Sequence, residues 1–328
     1  MALRFIDSCT HYATDDLLKK WDQGIDAAIV ESNPRRPGSK SILLGSGDLR
    51  TVNIATVSYM AAGFALRLAG TWYVDFWADR VQVRLKYDSG TLTAYRGPAT
   101  ASLGSADVSD LLALGDWHYI EFAALIHDTL GTIDVAIDGE ALAELTLTNQ
   151  DTRPWVETGV YRVIFNGAGN QITDLYFDSA EMHGDCVVDL LYPTAAGAQS
   201  EWLPAVGANW EEVDDPGDID DDATYNSVAL ESEIDSHVMS NTPSRPGSAI
   251  KALAVSLTGR KAGNPDRTVK PLLRIGGTNY LHADPGIELA LTFGSGQRLW
   301  SENPALASAW TESGINGAEV GYTLMQSS

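Results

Sequence analysis

Apolar and polar positions alternate with a period of two along most of the chain, in short runs punctuated by Gly, Asn, Asp and Pro. The runs "LRFIDS", "SILLGS", "GFALRLAG", "TWYVDFWAD", "VQVRLKYDS", "LTAYRG", "WHYIEFAALI", "TIDVAIDG", "AELTLTN", "YRVIFNG" and "ITDLYFDS" each predict a strand. So many strands before residue 180 predict two stacked sheets. Within "TIDVAIDGEALAELTLT", Asp138-Gly139 supplies the pair that a tight hairpin turn with positive φ requires. Helical periodicity is scarce. Residues 15–21 and 107–115 predict a turn or two of helix each, the second capped by Ser105 or Ser109, and 303–321 holds another short one.

The pattern breaks at "SAEMHGDC" and a second series begins with "VVDLLYP", "SAIKALAVSLTGRK", "TVKPLLRIGG", "TNYLHA", "IELALTF" and "QRLWSENP". A loop without an apolar face, "EEVDDPGDIDDD" (211–222), interrupts it. The expected division is therefore a sandwich over 1–182 and a smaller β-sandwich over 183–328. At the junction, Pro193 is expected to end a strand by withholding a ladder donor, and "TAAGAQ" to turn the chain toward Trp202, an anchor of the second core. "NPRRPGSKSILL" (33–44) and "TPSRPGSAIKAL" (242–253) share Pro-x-Arg-Pro-Gly-Ser ahead of an alternating run, so one turn chemistry is expected twice.

Composition fits this picture. The chain has 328 residues, 44% hydrophobic and 20% charged, which describes a folded protein with room for two cores. Its formal charge is −22, and 14 Lys/Arg face 23 Asp/Glu in residues 1–180, against 8 and 21 afterwards. Neither half is a basic module, so binding to nucleic acid or insertion into an anionic membrane is not expected. "IATVSYMAAGFALRLAG" is broken by Arg67 and is too short to span a bilayer, and the N-terminal run does not read as a signal peptide. Cys9 and Cys186 lie outside any metal-ligand spacing; two free thiols and a single bridge both remain open.

Candidate chemistry is sparse. The six histidines include no pair at the i, i+2 or i, i+4 spacings of a zinc site. A nucleophile elbow, a phosphate-binding loop and a dinucleotide fingerprint are all missing. "EIDSHV" (233–238) approaches the two-acid strand of β-glucanases but has Val238 where the second acid belongs, so an edge strand with solvated acids is expected. Asp218, Asp220 and Asp222 have the spacing of a calcium loop, and calcium is the one cofactor the chain admits; Ala223 and Ala229 replace the Gly and Glu that such a loop needs. Alternation along 72–77 puts Trp72, Val74 and Phe76 in the core and leaves Tyr73 and Trp77 as candidates for a sugar-stacking face.

Two resemblances extend this reading. "DWHYIEFAALIHDTLGTIDVAIDGE" (116–140) with "ITDLYFDS" (172–179) resembles the laminin-G or concanavalin A-like pattern, which implies a jelly-roll sandwich for the first half. "ITDLYFDS…GDCVVDLLYPTAAGAQSEWLP", "DIDDDATY", "LWSENPALASAWTESGINGAEVG" and the opening "MALRFIDSCTHYAT" are together similar to structural proteins of tailed bacteriophages and prophages. That similarity implies a non-enzymatic virion component of the tail, fibre or head exterior, made in the host cytoplasm. Its implied partners are other virion proteins, further copies of itself in a trimer or ring, and a glycan of the host surface. A stand-alone lectin is the alternative, and a glycoside hydrolase the weaker third.

Overall fold

The computed structural model describes residues 3–24, 26–99, 101–215, 217–263 and 266–326. The fold is all-β, and every paired strand is antiparallel. The chain forms two compact units, dividing between Val188 and Asp189 and not at 182/183. Residues 183–188 stay with the first unit because Glu121 Oε1 accepts the His183 and Gly184 amides at 2.9 and 2.8 Å, and Asp174 Oδ1 accepts the Val188 amide at 2.9 Å.

The first unit is a jelly-roll sandwich. Its nine-stranded sheet runs Glu140–Ala141, Gly131–Ile137, Trp117–Leu125, Tyr59–Arg67, Gln171–Asp178, Ser41–Leu43 and Ala28–Val30. Leu3–Asp7 also pairs with Gln171–Asp178, and Leu147–Gln150 with Gly131–Ile137. The seven-stranded sheet runs Ala101–Asp107, Thr91–Arg96, Arg80–Asp88, Trp72–Ala78, Arg162–Asn166, Leu49–Thr51 and Trp21–Gly24. Aromatic rings from the two sheets meet in the core: Phe76 stacks on Phe122 at 4.6 Å, and Phe64 meets Trp72 and Phe165 edge-on at 5.9 and 5.1 Å. Such pairs add about 1 kcal/mol each beyond the area they bury. The hairpin at Asp138-Gly139 has φ of 51° and 83°, as the sequence requires. Residues 107–115 form turns and not a helix, because Asp107 Oδ1 takes the Ser109 amide at 3.0 Å and ends the strand in a local loop.

Asp174 ties the outer side of the nine-stranded sheet together. It interrupts its strand in left-handed backbone (φ 50°), at a register shift between Thr173 and Tyr176. Its carboxylate, fully buried, takes Arg35 Nη1 at 2.8 Å and Arg36 Nη2 at 2.5 Å. Arg35 also reaches Asp185 and the Cys186 carbonyl. Cys9 and Cys186 are not joined in a disulfide, and the Cys186 thiol lies 3.9 Å from the His183 carbonyl.

The second unit is a smaller sandwich. A six-stranded sheet runs Pro193–Ser200, Ile234–Met239, Glu319–Gln326, Arg267–Ile275 and Thr278–Leu281, with Ile287–Glu288 also on Arg267–Ile275. The ribbon Leu253–Gly259 with Gly294–Trp300 packs against it through Val255, Trp300 and Leu273, joined by Trp310 and Ile315. Two expectations change here. Residues 187–192 are not a strand, and Pro193 opens one: Pro193–Ser200 lies at the sheet edge, where a missing N–H leaves no partner unsatisfied. Ile234–Met239 is an interior strand, and Asp235 and His237 are buried on its core face, not solvated. Asp235 accepts Asn209 Nδ2 at 2.6 Å and the Trp202 amide at 3.2 Å, which fixes the residues around Trp202. Trp202 itself is half-buried against Tyr322 at 4.7 Å.

Two consequences can be measured. Asp174→Ala leaves two guanidinium groups facing each other over a buried gap, and the expected loss is about 3–5 kcal/mol in urea denaturation. Burial lowers the His237 pKa to about 4, although Glu319 pulls it upward. The unfolded chain binds a proton near pH 6.5 and the folded one does not, so stability is full above that pH and falls as pH drops toward 4. At pH 4 the loss is roughly 3 kcal/mol, and His237→Gln should flatten this part of the melting-temperature profile.

Candidate functional surface

The outer face of the seven-stranded sheet gathers the side chains that the sequence singles out. Strand alternation sends Trp72, Val74 and Phe76 into the core and Tyr73, Asp75 and Trp77 to the opposite face. Cross-strand register then sets their neighbours. Asp75 lies opposite Arg84 on one side and Ile164 on the other; Ile164 is in turn opposite Arg50. Trp77 lies opposite Arg162, and Tyr73 opposite Asn166.

These groups form a closed polar network. Arg84 grips Asp75 with two parallel hydrogen bonds, Nε to Oδ1 at 2.6 Å and Nη2 to Oδ2 at 2.7 Å. Its guanidinium lies over the Tyr73 ring, 3.7 Å from the centroid. The Tyr73 hydroxyl donates to Asp48 Oδ1 at 3.1 Å, and Asn166 Nδ2 donates to the same oxygen at 3.1 Å. Arg50 Nη2 donates to Asp48 Oδ2 at 3.0 Å. Burial and the adjacent Asp48 charge push the Tyr73 phenol up to about 12. Trp77 is arranged alike, with Arg162 at 5.3 Å from its ring and Tyr161 edge-on at 5.4 Å. Arg162 continues to Asn53 at 2.7 Å and Asp22 at 3.1 Å.

The expected pair, Tyr73 and Trp77, is thus on one accessible face, but neither ring stands bare: each has a guanidinium over it. The arginines were not legible, because they come from other strands and their placement depends on cross-strand register. The alternation of "VQVRLKYDS" and the isolated Arg162 were the signals available.

The other candidate does not assemble. Asp218, Asp220 and Asp222 are exposed. Asp220 accepts the Thr224 hydroxyl at 2.8 and 2.9 Å, and Asp222 pairs with Arg260 at 2.7 Å. Among the described residues, no group of three His, Cys, Asp or Glu side chains is placed to hold a metal ion. Nearby Asp215 is raised to about 6 by burial and by the charges of Asp220, Asp214 and Asp218.

The aromatic and charged face has a direct test. Arg84→Met strands the Asp75 carboxylate, which is 2% exposed, and should destabilise the chain by about 3 kcal/mol. Adding Asp75→Leu should return most of that loss, as read by urea denaturation of the single and double variants.

No protein-family model matches the chain, and no curated protein matches it. Several solved structures align with about half of it. The galectin LEC-6 of Caenorhabditis elegans is 9% identical, over 47% of this chain and 97% of its own, with a TM-score of 0.29. The catalytic domain of a GH131 β-glucanase from Podospora anserina is 9% identical, over 53% and 90%, with a TM-score of 0.34. The exoplasmic/lumenal domain of VIP36, solved with Ca2+ and Man3GlcNAc, is 7% identical, over 50% and 88%, with a TM-score of 0.33. Likenesses this distant stand as observations only, and the jelly roll rests on the strand order of the chain itself.

Proposed function

We propose that this chain is a non-enzymatic recognition protein of a tailed-phage particle, whose first unit presents the outer face of the seven-stranded sheet to a surface glycan. The observation that carries the glycan reading is the juxtaposition of Tyr73 and Trp77 with Arg84, Arg162, Asp48 and Asn166 on that face. Rings flanked by planar polar groups suit a sugar, which offers C–H patches and hydroxyls at once. Binding is favoured over hydrolysis by the state of the two carboxylates beside Tyr73, Asp48 and Asp75. Asp75 is held in a bidentate pair and Asp48 accepts three donors, so neither is poised to give a proton to a leaving group.

Attribution to a phage particle rests on the sequence similarity across the junction segment and the C-terminal "LWSENPALASAWTESGINGAEVG". On such a particle the chain would occur in repeated copies, as a trimer or ring. A free lectin would share the same face and differ only in never being incorporated.

One pair of measurements decides both parts. Mass spectrometry and immunogold labelling of particles purified from the encoding host should find the chain on the exterior. A glycan array probed with the full chain should show retention, weakened at least tenfold by Tyr73→Ala with Trp77→Ala. Particles lacking the chain would overturn the virion role; an array without retention would overturn the recognition role.

A further inference from the structure

Building on the glycan reading, we infer that the ligand of the front face is an acidic glycan, held through its carboxylates by Arg50, Arg84 and Arg162. The inference comes from what the closed network leaves unspent. A guanidinium carries five N–H donors and a carboxylate about four lone-pair sites. Asp48 has accepted three donors, and Asp75 both prongs of Arg84. The arginines are far from saturated. Among the described residues, Arg50 donates through Nη2, Arg84 through Nε and Nη2, and Arg162 through Nη2. Nη1 of each of the three makes no hydrogen bond to a described residue, whereas Nε of Arg50 and of Arg162 is buried beyond a ligand's reach. The remaining capacity of the face is therefore to donate.

A neutral sugar is a poor complement to such a surface. Its hydroxyls both give and take, and those that give would find Asp48 already taken by three donors and Asp75 buried. A carboxylate only accepts, and it matches the planar fork of arginine in pairs. The three arginines are spread across strands Leu49–Thr51, Arg162–Asn166 and Arg80–Asp88, which at about 4.8 Å per strand spans roughly 14 Å. That length suits several charged units of a chain better than one small anion.

Charge points the same way. The protein carries −22 overall, yet on this face Arg50, Arg84, Lys86 and Arg162 balance Asp22, Asp48, Asp75 and Asp88. An acidic polymer repelled by the rest of the surface meets no net repulsion here, so its binding is confined to this face.

The test uses the full chain and calorimetric titration with oligomers of galacturonate, glucuronate and sialate, their methyl esters, and neutral gluco- and manno-oligosaccharides. The acids should bind, and esterification, which removes the charge and keeps the sugar, should weaken binding at least tenfold. Arg50→Gln with Arg162→Gln should weaken binding of the acids to the same degree while circular dichroism shows the fold intact. Should the double variant misfold, Arg50→Gln alone, at a half-exposed position, carries the same expectation. Esters or neutral sugars bound as well as the acids, with no response to the arginine variants, would overturn acid selectivity and leave glycan recognition standing. Retention of none of these sugars would overturn both.

Discussion

A fully buried carboxylate facing two guanidinium groups is the constraint on which the first unit depends. Gln171–Asp178 is the strand that changes partners. Its first residues pair with Ser41–Leu43 and its last with Leu3–Asp7, while Tyr59–Arg67 runs along its other side. Asp174 stands where one partner gives way to the next, and its positive φ supplies the change in direction. Left alone, the bulge would expose an unpaired acid in the middle of a sheet. Arg35 and Arg36 cover it, and in doing so bring the turn after Ala28–Val30 and the segment from Asp185 to Val188 onto the outer side of the sheet. Two charges of one sign around one of the other are held in low dielectric by spreading their donors over further acceptors. Here the Cys186 and Val188 carbonyls and Asp185 take up donors that Asp174 does not.

The same device recurs in the second unit in simpler form. Ser39 donates to the Arg36 carbonyl at 3.0 Å and Ser248 to the Arg245 carbonyl at 3.1 Å, with Gly38 and Gly247 at φ of 76° and 85°. Pro at the second position and Gly at the third make this a tight turn that opens on an arginine. In the second unit Arg245 grips Asp189 with two hydrogen bonds of 2.8 Å. The repeated Arg-Pro-Gly-Ser is thus a means of holding the chain near a unit boundary, and each unit uses its own copy.

What could be read from sequence followed periodicity, and what could not followed register. The long alternating runs gave their strands, and Trp72, Val74 and Phe76 took the core side as alternation demands. Trp21–Gly24, Ala28–Val30 and Leu49–Thr51 are three or four residues long, too short to show a period, yet they complete the edges of both sheets. Pro193–Ser200 is built of small residues and carries no apolar face, so its role as an edge strand had no local signature. Asp235 looked like a solvated acid because its burial depends on Asn209, distant in sequence, offering an amide. At the front face, residue types on one strand were legible, while the guanidinium groups stacked on them depend on which residue of the next strand lies opposite.

That dependence bears on function. A tyrosine or tryptophan exposed alone on a sheet would bind sugars through stacking and would discriminate among them weakly. Covering each ring with an arginine anchored by a buried or networked acid makes the face rigid, since the guanidinium loses its rotamers to intramolecular contacts before any ligand arrives. The ordering is supplied by folding, through the pairing of Asp75 with Arg84 and of Arg162 with Asn53, and does not have to be supplied on binding. Under the proposed glycan reading, selectivity would follow from which donors are left over, and those donors belong to charged groups whose reach is fixed by strand spacing.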